Sequence, residues 1–338
     1  MILQLGKFSY DSFGGIESVQ RSIRSSFIQE NRIFLLCFSN QNLTGDQVGA
    51  MYFNLLKQPF SVGYILRSIW LGIRADSIIM HWPNLMILPA LLLFRKKAMV
   101  FYHADAMQSR KVNLLLNSVL FFARTVIFTS ENYQDCTVVL KSHPNKFILP
   151  LTLDFEDKVP REYHSTANKK FVFIGRKTEY KGIEIMTSAW KKSVAYTRGF
   201  SLEIFGATVN EDSSNYKIYS HGKFDNIEDV LRDAYCLILP SISRQEAFGV
   251  VLLEAKYFGV PIISTDIPCS GMNYLNDGIS TGLRFKPRDK YDLVERINLI
   301  IDNRELRDEL SRNSYNSYEY YTNNNFKLKL KHITDEIS

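Results

Sequence analysis

Three observations predict a doubly wound α/β protein with two successive domains. Short apolar runs alternate with helical patterns along the whole chain. That pattern restarts after a polar stretch at 155–170. The chain has 338 residues, and a single hydrophobic core seldom grows past roughly 250 to 300. With 46% apolar and 22% charged residues and only 17 Gly and 10 Pro, a disordered, collagen-like or low-complexity chain is excluded.

In the first half, the run Ile2–Leu5 reads as a strand, followed by a glycine-containing loop through Gly14 and Gly15. A helix follows, its apolar face formed by Ile16, Val19, Ile23 and Phe27 at helical spacing. Ile33–Phe38 then reads as a second strand, with further strands at 77–80, 99–102 and Thr125–Phe128. Glu156, Asp157, Lys158, Pro160, Arg161 and Glu162 open the polar stretch, which reads as a linker. The first domain is therefore expected over 1–158 and the second over 159–320, with 321–338 a C-terminal segment crossing back to the first. Beyond the linker come a strand at 171–174, a helix at 182–195, a strand at 202–205, a helix at 227–234 and a strand at 237–239. A helix at 250–258, a strand at 261–264 and a helical region from Tyr291 onward complete the series. Two such sheets are expected to face each other across a cleft, and doubly wound sheets bind ligands at the carboxyl ends of their strands.

The charge is uneven. Residues 1–150 carry 15 Lys+Arg against 8 Asp+Glu, whereas the remainder is close to neutral. Together with the apolar runs at 70–73, 85–94 and 114–128, this excess suits an anionic membrane surface. A solvated basic face over buried runs is the plainer reading. No nucleic-acid motif appears, so nucleic acid is not an expected partner. The run 85–94 is interrupted by Pro89 and ends at Arg95, far short of the roughly 20 residues that span a bilayer. No basic segment followed by an apolar run opens the chain, so no secretory signal is expected. Cys37, Cys136, Cys236 and Cys269 lie far apart, with no CxxC pair and no histidine at ligand spacing, so no metal site is expected.

The chemistry concentrates in two segments. Glu246 lies in the loop after the strand at 237–239, and Glu254 about one turn into the next helix. Both carboxylates are thus placed near a helix N-terminus, where the amides of Phe248, Gly249 and Val250 form an anion site. Carboxylates accept hydrogen bonds from sugar hydroxyls, while amides bind phosphate oxygens. Arg176 and Lys181 bracket the loop after the strand at 171–174, where they are placed to clamp a diphosphate from two sides. His81 and His103 each end a strand of the first domain. His103 is the preferred functional one, with Asp105 placed to orient its imidazole. Ser130 reads either as a ligand contact or as the cap of a helix starting near Glu131.

The order Gly14-Gly15-Ile16-Glu17, His103-Ala104-Asp105, 129–133, Gly175-Arg176 to Lys181-Gly182, and Glu246-Ala247-Phe248-Gly249 to Glu254-Ala255 resembles family 4 retaining glycosyltransferases of the GT-B fold. Pro261 to Asp266, Ser270-Gly271 and Asp277-Gly278 to Thr281-Gly282 extend the resemblance to about residue 303. Such enzymes have two Rossmann-like doubly wound domains across an inter-domain cleft. By resemblance, Glu254 binds the ribose of a nucleotide, Glu246 faces the donor sugar, and Phe248, Gly249 and Val250 meet sugar and diphosphate. Arg176 and Lys181 neutralise the leaving diphosphate, Gly14 and Gly15 admit the sugar phosphate, and His103 lies close to the transferring sugar. Asp105, Lys111 and Ser130 belong to the acceptor side.

The resemblance implies a metal-independent, retaining hexosyltransferase without a cofactor, acting with a nucleotide-sugar donor on a lipid-linked or glycan acceptor in O-antigen or capsule synthesis. GDP-mannose is favoured, with UDP-hexoses and dTDP-rhamnose as alternatives. A cytoplasmic location, peripheral at the inner membrane face, goes with it. Cys269 stands where the family commonly has a small residue, and Asn273-Tyr274 where Pro-Tyr is usual. The competing readings are an inactive scaffold of the same fold or another sugar-nucleotide enzyme.

Overall fold

Apolar runs without alternation become strands covered on both faces, and the chain uses them to build two wholly parallel sheets. The computed structural model describes residues 1–9, 15–27, 33–39, 43, 46–55, 58–106, 109–156, 159–163, 168–209, 214–246 and 248–336. The chain divides into two compact units, 1–154 with 323–338, and 155–322.

The first unit runs β1 (Ile2–Leu5), α1 (Gly15–Phe27), β2 (Ile33–Phe38), β3 (Gln47–Ala50) and a hairpin of β4 (Phe53–Leu55) with β5 (Gln58–Phe60). It continues with α2 (Val62–Arg74), β6 (Ser77–Trp82), α3 (Leu88–Phe94), β7 (Ala98–Tyr102), α4 (Arg110–Leu120), β8 (Thr125–Phe128), α5 (Glu131–Asp135) and β9 (Lys146–Ile148). The seven-stranded order is β3-β2-β1-β6-β7-β8-β9. The chain winds outward from β1 through β2 to β3, then returns to place β6 on the other side of β1. This reversal is the switch point where doubly wound sheets open a crevice. Leu3, Leu5, Leu35, Leu36, Ile78 and Val100 are fully buried at the centre of the sheet. As the periodicity of α1 requires, Val19 and Ile23 point inward.

The second unit runs β10 (Lys170–Ile174), α6 (Ile183–Trp190), β11 (Ser201–Phe205), β12 (Ile218–Gly222), α7 (Ile227–Leu231) and β13 (Cys236–Leu239). Then follow α8 (Val250–Tyr257), β14 (Ile262–Thr265), α9 (Met272–Leu275), β15 (Gly282–Phe285), α10 (Lys290–Asp302) and α11 (Arg304–Ser317). Its order, β12-β11-β10-β13-β14-β15, puts the switch between β10 and β13. The helix expected over 182–195 stops at Trp190, because the Ser193 hydroxyl donates to Trp190 O at 2.8 Å and accepts from Ala195 N at 3.3 Å, closing a turn. The last helix, α12 (Asn323–Glu336), packs beside α1 in the first unit. Phe326, Leu330 and Ile333 are its buried face, and Thr152 donates to Asn323 Oδ1 at 3.0 Å.

Candidate functional site

In the second unit, three loops at the β10/β13 switch point converge on Glu246. The loop after β10 ends in the Lys181-Gly182 turn, with Gly182 at φ +66°. A side chain at Gly182 would put a Cβ only 2.1 Å from Pro240 O, so only glycine allows this turn to lie against the end of β13. Ile242 N donates to Tyr180 O at 2.7 Å and ties the two loops together. Held this way, Lys181 Nζ donates to Glu246 Oε2, and both side chains are mostly buried, at 11% and 14% exposure. Ser241 donates to the same carboxylate oxygen at 3.3 Å. From the loop after β14, Ser270 donates to Glu246 O at 2.7 Å and accepts from Met272 N at 3.2 Å. Glu246 is thus fixed at both its carboxylate and its backbone.

Helix starts differ in capping, and α3, α4, α7 and α9 have no side-chain cap. Helices α2, α5, α10 and α11 begin with Ser61, Ser130, Asp289 and Asn303, each side chain accepting from an amide of the first turn. Helices α6 and α8 begin instead at Gly182 and Gly249, both left-handed and without a side-chain cap. Their first amides therefore have no side-chain oxygen competing for them, as an anion site requires. Phe248 and Gly249 are buried beside Val250 at the start of α8, and Glu254 is half-buried on that helix. Arg176 is exposed, with no ion pair among the described residues. Chemically, these loops bring one paired ammonium, a guanidinium, two carboxylates and uncapped amides to the carboxyl end of one sheet.

Other parts of the sequence pattern have structural work. The Asp277 carboxylate accepts from the amides of Ile279, Ser280 and Thr281. Burial raises its pKa, but these bonds and the Ser280 hydroxyl outweigh it and hold the group down at about 2. A Cβ at Gly282 would lie 2.3 Å from Ile262 O, so strand packing demands glycine there. Cys269, by contrast, sits at φ +70°, a conformation that favours the glycine commoner at this position in the resembled family.

In the first unit, His81 and His103 come together at the carboxyl ends of β6 and β7. Their rings lie within 7° of parallel. His81 Nδ1 is 2.9 Å from His103 Nε2, and His81 Nε2 is 3.0 Å from Gln4 Oε1 on β1. Burial lowers the pKa of both rings, His81 well below the ordinary value and His103 to about 3, so both are neutral near pH 7. The expected orienting partner of His103, Asp105, is occupied otherwise: it accepts from Tyr102 Oη at 2.7 Å, and its amide donates to Tyr133 Oη at 2.9 Å. The ring nitrogen is met by His81 instead. Ser130 is fully buried and caps α5 through Tyr133 N at 3.3 Å. Lys111 is exposed in the first turn of α4, and Gly15 is the exposed first residue of α1. Gly14 lies outside the described residues.

Gln4 and Ser241 were not singled out by sequence, and Ser270 only as part of the segment that extends the resemblance. A glutamine inside the apolar strand Ile2–Leu5 was the available signal for the first, since a strand covered on both faces has no solvent side for it. Among the described residues, no cluster of three or more His, Cys, Asp or Glu is placed to hold a metal ion, and no helix is long and apolar enough to cross a membrane.

The chain is similar to several known proteins. Residues 154–317 match the family described as glycosyl transferases group 1. The chain is 25% identical to O-antigen chain mannosyltransferase C of Escherichia coli, over 94% of this chain and 93% of the relative. It is 24% identical to the D-rhamnosyltransferase WbpZ of Pseudomonas aeruginosa, over 78% and 74% of the two chains. Among solved structures, Anabaena Alr3699/HepE in complex with UDP superposes with a TM-score of 0.79 at 14% identity, over 99% of each chain. WaaG, a glycosyltransferase involved in lipopolysaccharide biosynthesis, superposes with a TM-score of 0.70 at 15% identity over the full length of both.

Proposed function

We propose that the chain, which matches the glycosyl transferases group 1 family over 154–317 and has the GT-B fold, is a glycosyltransferase that moves a hexose from a nucleotide-diphosphate sugar, with retention, onto a lipid-linked saccharide of a surface polysaccharide. The observation that carries the reading is the Lys181–Glu246 pair beside the uncapped start of α8. GDP-mannose is the favoured donor, in keeping with the mannosyltransferase name of one relative.

In this reading Glu254 accepts from the ribose hydroxyls and Glu246 from those of the sugar. Arg176, Lys181 and the amides of Phe248, Gly249 and Val250 take the diphosphate. As the anomeric C–O bond breaks, negative charge grows on the leaving phosphate, and these fixed positive groups favour it more than the ground state. The acceptor hydroxyl attacks from the face the phosphate leaves, forming the new C–O bond, and its proton passes to the departing phosphate. No enzymic nucleophile is invoked, unlike the two-carboxylate scheme of glycoside hydrolysis. Lys181 exchanges its bond with Glu246 for one with phosphate, freeing that carboxylate for sugar hydroxyls. With two cations and a helix terminus on the diphosphate, the proposed step needs no divalent ion.

Membrane attachment is the second part of the proposal. On α2, Val62, Leu66, Trp70 and Ile73 form one exposed apolar face, and Leu92 and Leu93 on α3 and Val112 and Leu115 on α4 are exposed as well, on helices packed in series against α2. Residues 62–124 hold eight Lys or Arg against two Asp, a composition that suits an anionic bilayer surface. The enzyme would then work peripherally at the cytoplasmic face, where lipid-linked acceptors are presented.

Thermal shift against UDP, GDP, ADP, CMP and dTDP tests the core of the reading. At a hundredfold excess over Kd a ligand of the folded state stabilises by about 2.7 kcal/mol. One nucleoside diphosphate should raise the melting temperature, and Glu254→Ala should abolish that rise. No response to any of the five would remove the donor site proposed here.

A further inference from the structure

The first unit holds a chain of buried polar groups that the transfer step leaves unexplained. Gln20 O, Gln4, His81 and His103 follow one another from α1 across β1 and β6 to the end of β7. The direction of each hydrogen bond can be derived. Gln4 Nε2 is 3.4 Å from Gln20 O, and since a carbonyl only accepts, the Gln4 amide nitrogen must face it. That leaves Gln4 Oε1, also only an acceptor, toward His81, so the His81 proton is on Nε2. A neutral imidazole with its proton there carries a lone pair on Nδ1. His103 Nε2 must therefore donate across the 2.9 Å contact. The nearly parallel planes of the rings suit a bond directed along that lone pair. Flipping the Gln4 amide would set two acceptors against each other at Gln20.

We infer that Gln4 and His81 are positioning residues that hold His103 as its Nε2–H tautomer and leave its Nδ1 as an acceptor for a substrate hydroxyl. The inference rests on the proposed transfer reaction and on the resemblance by which His103 lies close to the transferring sugar. Burial reinforces it, because both rings are kept neutral and neither proton count changes through the physiological range. Phe101 stacks on both rings, at 5.6 and 6.1 Å between centroids, and holds them in plane. His103 Nδ1 has no partner among the described residues. A sugar hydroxyl that donates there acquires a fixed orientation, which raises the population of reactive geometry rather than the basicity of the site.

The test uses the full chain labelled with 15N-histidine. In the wild type, the ring-nitrogen signals of His81 and His103 should each show a bare Nδ1 and a protonated Nε2, unchanged between pH 5 and 8. A bare His103 Nε2, or a titration of either ring in that range, overturns the relay. His81→Leu removes the acceptor and should give His103 a mixture of tautomers. With GDP-mannose as donor it should lower kcat about 10- to 100-fold at little-changed donor KM. His81→Asn, whose Oδ1 falls near the position of Nδ1, should restore the single tautomer and bring kcat back to within about threefold of wild type. His103→Phe separates the two claims. If it keeps wild-type turnover while the tautomers are as stated, the role of His103 in transfer falls and the relay stands. If it is inactive while His103 Nε2 is found bare, the relay falls and the role stands.

Discussion

Replacing Gly182 by alanine attacks the turn that carries Lys181, and the structure allows the cost to be worked out in two parts. Gly182 has φ +66°, and leaving glycine at a left-handed position costs about 1–2 kcal/mol. The added Cβ would also fall 2.1 Å from Pro240 O, 3.1 Å from Pro240 C and 3.2 Å from Ile242 Cγ2. A backbone carbonyl at the end of a central strand cannot swing aside as a flexible side chain would, so the 180–182 loop must retreat by about 1 Å. Overpacking of this kind costs about 1–3 kcal/mol, giving a total of about 2–5 kcal/mol. Gly222 supplies the control, since it has φ +63° and nothing within 4 Å of a built Cβ. Gly222→Ala should lose only the conformational part. Because a chain of two units need not unfold in one step, the readout is 19F NMR of fluorotryptophan-labelled protein in urea. Trp190, buried in α6, is the one tryptophan of the second unit. Gly182→Ala should lower stability by about 2 kcal/mol more than Gly222→Ala and weaken nucleotide binding. Equal losses in the two variants would refute the close-approach argument.

Two further outcomes follow from buried and exposed groups. Lys256 is 2% exposed, its ammonium donating to Ser317 Oγ at 2.8 Å, and burial lowers its pKa from 10.5 to about 8, against a smaller opposing pull from Asp277. Between pH 8 and 10.5 the unfolded chain holds a proton that the folded one has released, so wild-type stability should rise with pH across that window. Below pH 8 the penalty is fully present, and Lys256→Met should stabilise the protein by about 2 kcal/mol at pH 7 and lose that advantage by pH 10.5; a pH-independent difference in urea midpoints would contradict this. At the exposed face of α2, Arg74 lies 3.7 Å over the Trp70 ring. The protein should sediment with phosphatidylglycerol vesicles at low ionic strength and not with neutral ones, with Trp70→Ser cutting binding about fivefold or more; absence of binding to anionic vesicles would remove the membrane proposal.

How far the sequence could be read depended on where each residue's partners lie. Ile2–Leu5, Ile33–Phe38 and Thr125–Phe128 are central strands whose apolar runs coincide with their limits. The edges were invisible for a physical reason. Gln47–Ala50 and Ile218–Gly222 pair on one side only, and the latter is largely exposed, so neither needs an apolar run. Helices α2 and α4 were read only as apolar stretches, because Leu66, Trp70, Leu114 and Leu115 face outward and blur the 3.6-residue contrast. Within the candidate site, Lys181 and Glu246 were legible from their motif, but their mutual bond depends on Gly182 packing against Pro240, a contact between loops about 60 residues apart. His81 read as a structural residue and Asp105 as the partner of His103. Sequence adjacency favoured Asp105, whereas the pairing of β6 with β7 sets His81 beside it, with His81 opposite Phe101 in the register.

The path of α12 bears on synthesis. Residues 323–336 complete the first unit, yet they are made after the whole of the second. Domains commonly fold as units from the N-terminus during translation, but here the whole of 155–322 is made before the helix that packs beside α1. The contiguous unit can finish first, while residues 1–154 wait with the surface beneath Phe326, Leu330 and Ile333 uncovered. A chain that stops at residue 322, once free of the ribosome, should therefore protect 155–322 from protease while residues 1–154 are still cut.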